Sequence, residues 1–166
     1  MKWTTKQLTT MALLTAIALA IHVAEAQIPP FVAIPGVKLG LANIVTVYAA
    51  FSIGGGAAAM ILIARILLGS MFGGGVVSLL YSLAGGILCL LVTLLLRRTL
   101  TVRQIWVAGV FGAVAHNIGQ ILVAIVVTGT PSIVSYLPIL LISGVLTGIF
   151  TGLAAQAVVN RLGSRH

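Results

Sequence analysis

The sequence predicts an all-α, polytopic membrane protein of six transmembrane helices, forming a single integral membrane domain over residues 1–166. Three observations carry this prediction. Hydrophobic residues make up 60% of the chain and charged residues only 6%, with mean hydropathy +1.25. A soluble domain carries about a quarter charged residues, so this composition cannot clothe a water-facing surface. The apolar material also falls into runs near the roughly 20 residues that one membrane span needs, and glycine, proline or basic clusters separate the runs.

The first span runs from about Gln7 to Ala24. Lys2 and Lys6, an apolar run and Ala24-Glu25-Ala26 imitate a cleavable signal peptide, but the apolar stretch is long for one, and an uncleaved first helix is expected. Ala12, Ala16, Ala20 and Ala24 recur every four residues. Small residues so spaced make a smooth stripe that another helix can approach closely, either within the fold or on a partner protein. A Pro-broken segment follows, EAQIPPFVAIPGVKLGLAN over Glu25–Asn43. Pro29, Pro30 and Pro35 forbid regular helix there, and Gly36 gives a turn. The second span is expected from Leu39 to Ile53, and the third from Ala57 to Met71 with Arg65 inside it. The fourth runs from Val76 to Leu96, the fifth from Gln104 to Val127, and the sixth from Ile133 to Val159. The sixth carries its own small-residue stripe, Gly144, Gly148 and Gly152.

Charge placement sets the expected orientation. Lys2, Lys6, Arg97, Arg98, Arg103, Arg161 and Arg165 lie in the two tails and the loop between spans 4 and 5, whereas the opposite loops hold Lys38 alone. The positive-inside rule then puts both termini in the cytoplasm of a cell-membrane protein, with the Glu25–Lys38 segment outside. The same placement argues against nucleic acid as a partner, despite a net charge of +8. Membrane lipid is the expected surround.

Given that topology, the polar side chains share a depth. Glu25 and Asn43 sit at the outer ends of spans 1 and 2, and Tyr81 and Tyr136 in the outer parts of spans 4 and 6. His116, Asn117 and Gln120 lie roughly 18–25 Å along span 5 at 1.5 Å per residue. Arg65 is near mid-span, where a charge costs roughly 2.5–3.5 kcal/mol and usually lines a cavity or pathway. Scattered structural groups have no reason to share a depth, whereas a binding site beneath the Pro-rich segment does. Glu25, Lys38, Asn43, Arg65, Tyr81, His116, Asn117, Gln120 and Tyr136 are therefore the candidate substrate-binding residues. The plainer alternatives are an Arg65–Glu25 pair and an interhelical hydrogen-bond network at His116, Asn117 and Gln120. Arg65 and Lys38 outweigh the one carboxylate, so a small molecule with an anionic group is the expected ligand.

An enzyme is not expected. With one Glu, no Asp and one Cys, there is no carboxylate pair for acid–base work and no acidic metal site. The three histidines lack metal-ligand spacing, and there is no phosphate-binding glycine loop. No cofactor is expected, and Cys89 reads as packing.

The runs IPGVKLGLANIVTVYA (Ile34–Ala49), SLAGGIL (Ser82–Leu88), AHNIGQILVA (Ala115–Ala124) and YLPILLISGVLTGIFTG (Tyr136–Gly152) resemble the Gx transporter family, often labelled heptaprenyl diphosphate synthase component I. That family is similar to the substrate-binding S-components of energy-coupling factor transporters. The resemblance implies an S-component-like bundle that binds a micronutrient at the outer side, under a loop between helices 1 and 2. It implies docking through an Ala-x-x-x-Ala stripe, here Ala12, Ala16, Ala20 and Ala24, onto a shared transmembrane coupling protein driven by cytosolic ATPases. The synthase label fits least, since prenyl synthases use Asp-rich metal motifs. Relatives also resemble components encoded with flavin-based extracellular electron transfer, so a membrane role in flavin- or quinone-linked electron transfer, or in isoprenoid metabolism, is the alternative.

Overall fold

The computed structural model describes residues 3–28 and 38–163. Pro29, Pro30, Pro35 and Gly36 of the expected lid lie outside them. The described chain is a bundle of six helices: α1 Thr5–Glu25, α2 Asn43–Ser52, α3 Gly55–Gly69, α4 Gly75–Leu96, α5 Ile105–Thr128 and α6 Leu137–Gly163. A π-helical turn, Ser70–Gly74, joins α3 to α4, and 3-10 turns at Val102–Gln104 and Pro131–Tyr136 precede α5 and α6. With α3 continuing into the π turn and α5 and α6 into their 3-10 turns, five helical stretches are long and apolar enough to cross a membrane. The protein is a polytopic membrane protein.

The second helix is shorter than its apolar run. Leu39–Ala42 is not helical, and α2 has only 10 residues, about 15 Å of rise against a hydrocarbon core of about 30 Å. Gly40 explains the delay. Its φ of +79° is a left-handed conformation that breaks the helix before it starts and that side-chain-bearing residues rarely adopt. Short as it is, α2 touches each of the other five helices. Val45, Val47, Ala49 and Ala50 are buried there, so the bundle closes around α2.

Chain direction alternates through all six helices. His22 at the end of α1 packs against Gly69 at the end of α3, so α1 and α3 run parallel. Gly55 at the start of α3 packs against Leu94 near the end of α4. The α2–α3 turn, the α4–α5 loop and the α6 C-terminus therefore share one end, where Arg97, Arg98, Arg103 and Arg161 lie. The start of α2, the end of α3, the start of α4, the end of α5 and the start of α6 share the other end.

The α5–α6 seam is the tightest in the fold. Cβ atoms added at Gly148 and Gly152 would lie 2.6 Å from Val110 Cα and 2.7 Å from Trp106 Cα. Only glycine lets these backbones approach so closely. The α4–α5 seam is similar, with Gly112 against Cys89 and Thr93. Cys89 is free and buried, consistent with packing. Large apolar side chains such as Leu13, Ile63, Leu95, Ile142 and Phe150 point outward, as a lipid-facing surface requires.

Candidate functional site

At the end of the bundle opposite the basic loop, polar groups from α1, α2, α3, α4 and α5 meet around the short segment Lys38–Gly40. Glu25, Asn43, Arg65, His116 and Gln120 are all buried there. The segment itself is pinned from three helices. From α1, Glu25 Oε1 accepts the Gly40 N–H at 2.6 Å, and His22 Nε2 accepts from Lys38 Nζ at 3.1 Å. From α4, Ser78 Oγ lies 3.2 Å from the same ammonium. From α5, the Gln120 amide pairs with both backbone groups of Lys38, donating to its carbonyl at 3.0 Å and accepting its N–H at 3.1 Å. The His116 Nε2–H also donates to Gln120 Oε1, at 3.1 Å. That bond fixes the His116 tautomer, and the Lys38 bond requires a neutral His22.

The sequence allows this arrangement for local reasons. His116 and Gln120 are four residues apart and share a face of α5, which the helix turns toward the segment. Space for the imidazole comes from Gly85 on α4, where a Cβ would sit 2.6 Å from His116 Nδ1. His22 and Glu25 are three apart on α1, so both reach Lys38–Gly40. A Cβ at Gly40 would lie 2.9 Å from Asn43 Nδ2 and 2.9 Å from the His116 ring; the backbone lies directly over both.

Beneath the segment lies Arg65, 3% exposed. Its Nη2 donates to Asn43 Oδ1 at a long 3.4 Å. Glu25 makes its hydrogen bond to the Gly40 backbone rather than to Arg65, so the expected ion pair is not a direct one. Arg65 Nε, Asn43 Nδ2 and His116 Nδ1 are buried without a hydrogen-bond partner. Such groups are rare in native interiors and call for an explanation. Lys38 lies outside the helices. Burial pushes its ammonium pKa down, the Glu25 carboxylate pulls it back up, and Arg65 adds to the lowering.

Three expected site residues lie elsewhere. Asn117 faces α6, where its amide donates to the Leu140 carbonyl and packs under Gly144; this is the helix-bridging role of the plainer reading. Tyr81 is buried in an apolar cluster with Ile121, Ala124 and Leu140. Tyr136, in the 3-10 turn before α6, is 38% exposed. In the other direction, His22 and Ser78 join the cluster although neither was a candidate. The signals were present: His22 is one helical turn before Glu25, and Ser78 is one turn before the polar Ser82.

The four alanines of α1 lie on the surface. Ala12, Ala16, Ala20 and Ala24 are all exposed, and Ala16, Ala20 and Ala24 line an apolar groove with Leu19, Val23, Gln27 and Phe72.

A family model described as heptaprenyl diphosphate synthase component I matches residues 14–158, from the middle of α1 to near the end of α6. The chain belongs to the heptaprenyl diphosphate synthase component I family, also called Gx transporters. In this family member the matched range takes in the whole polar cluster and three of the four surface alanines, leaving out Ala12. Comparison with curated proteins and with solved structures returns no match.

Proposed function

We propose that this Gx-family chain is the substrate-capture subunit, similar to an S-component, of an energy-coupling factor type importer for a small micronutrient or cofactor-like molecule. The observation that carries the proposal is the Lys38–Gly40 segment. It is a non-helical strap held by side chains of α1, α4 and α5, and it covers a buried arginine whose Nε–H has no partner. Non-helical backbone at membrane depth is tolerated where it is buried in protein or lines a cavity. A strap held by side chains rather than by a helix can also be released without unfolding a span.

In this mechanism the strap end faces outward and both termini are cytoplasmic, the orientation that the positive-inside rule favours. A small molecule with an anionic group enters when the strap lifts, and the strap closes over it. The loaded subunit docks through Ala12, Ala16, Ala20 and Ala24 onto a shared transmembrane coupling protein. Cytosolic ATPases then drive reorientation in the membrane and release inside. The chain performs no chemistry on its cargo.

The test is co-expression of the tagged chain with an energy-coupling module, followed by affinity capture and native mass spectrometry. The expected result is a complex with the coupling protein and ATPases, and a bound small molecule on the free subunit. Capture of neither removes the proposal, and a chain that purifies with a visible flavin or quinone chromophore replaces it with the electron-transfer reading.

A further inference from the structure

The ligand chemistry can be narrowed from the unpartnered donors. Arg65 and Asn43 are 3% and 4% exposed. They are joined by the bond from Arg65 Nη2 to Asn43 Oδ1, yet Arg65 Nε and Asn43 Nδ2 donate to nothing. Two buried donors therefore stand on two bonded side chains under the strap. Both are N–H groups, and an N–H can be satisfied only by an acceptor. The one carboxylate nearby, Glu25, accepts the Gly40 N–H and reaches neither of these donors, while Gln120 and His22 bond Lys38 instead.

We propose that Arg65 Nε and Asn43 Nδ2 form a carboxylate subsite, and that the ligand carries a carboxylate rather than a phosphate. The inference rests on the capture reading above and specifies the head group. Two donors match the two oxygens of a carboxylate. A phosphate or phosphonate presents three oxygens and up to two charges, and asks for more donors than these side chains leave open. Charge gives the same answer. Lys38 and Arg65 face Glu25 with both histidines neutral, leaving one net positive charge, which a monoanion cancels. A neutral amide would fill the donors but leave that charge buried and uncompensated.

The test uses purified full-length protein in detergent. Its thermal midpoint is followed against sodium acetate, butyrate and hexanoate, the matching amides, and the matching alkylphosphonates, at constant ionic strength and pH 7. The carboxylates raise the midpoint by about 4 °C near a tenfold excess over Kd, and the amides and phosphonates do not. A response that grows with chain length marks a lipid-borne carboxylate and a flat one a water-soluble carboxylate; both support the subsite. Arg65→Gln removes the response. Asn43→Asp builds an acceptor into the subsite, so it raises the ligand-free midpoint and also abolishes the response, which keeps the test meaningful if Arg65→Gln fails to fold. Equal shifts from amides, larger shifts from phosphonates, no shift from any carboxylate, or an undiminished shift in Asn43→Asp overturns the inference. Capture of the coupling module by a chain that ignores carboxylates sinks the subsite alone. A carboxylate response without module capture sinks the importer reading alone.

Discussion

Two stripes of small residues run along this molecule at the same spacing and meet opposite fates. On α6, Gly144, Gly148 and Gly152 are buried against α5, with Cβ positions within 2.6–2.7 Å of neighbouring atoms. On α1, Ala12, Ala16, Ala20 and Ala24 are exposed along an apolar groove. Glycine serves where two backbones of one chain must touch permanently. Alanine keeps helix propensity, which glycine lowers by about 1 kcal/mol, and still leaves a face flat enough for a second helix. The inward stripe is thus a fixed seam, while the outward one is left uncovered by the rest of the described chain.

The contrast can be broken most sharply at Gly148. Gly148→Leu drives a side chain into the backbone of Gly109 and Val110 and is expected to cost about 3 kcal/mol or more, seen as loss of a monodisperse peak and of a cooperative melt. Ala16→Trp, on the exposed stripe, should leave the melt within about 0.5 kcal/mol while abolishing capture of the coupling module; captured module with Trp present would end the docking reading. At the scale of one methyl group, Gly152→Ala should cost about 1–3 kcal/mol, because Trp106 backbone lies in the way. Ala20→Gly should cost no more than about 1 kcal/mol; equal losses in the two variants would erase the distinction between the stripes. The smallest effect belongs to the inward face of α1, where His22 accepts from Lys38 Nζ. His22→Leu leaves the Lys38 ammonium one acceptor short and should cost under about 1 kcal/mol, read as a slightly lowered thermal midpoint. His22→Gln, which keeps an acceptor, should stay closer to the parent; equal losses in the two variants would show that the Lys38 bond contributes nothing.

Much of this was legible in the sequence, because apolar runs, glycine clusters and cation placement act locally. The polar end was legible too, since Glu25, Asn43, Arg65, His116 and Gln120 share a depth that topology alone supplies. The start of α2 was not. Leu39–Ala42 is apolar enough for a helix, and it is Gly40, held by Glu25 from another element, that denies it one. Nor does spacing alone say which stripe faces inward. Asn117 and Tyr81 share the depth of the cluster but turn to α6 and to an apolar cluster instead, because depth carries no azimuth. Ser78 and His22 were missed for the converse reason: each is an unremarkable polar residue until Lys38 is folded onto it.

The pairing of Gln120 with Lys38 also spans 82 residues of sequence, and this has a meaning for how the protein is made. A ribosome adding about 5–20 residues per second needs roughly 4–16 s to go from one partner to the other. During that interval the Lys38 peptide groups have no Gln120, and α2, at half the membrane's thickness, has no α5 or α6 to receive it. The newborn chain must keep this stretch wet, or sheltered by other helices, until the fifth span arrives. Assembly of the strap is therefore a late event, and the last third of the polypeptide decides when its first loop can close.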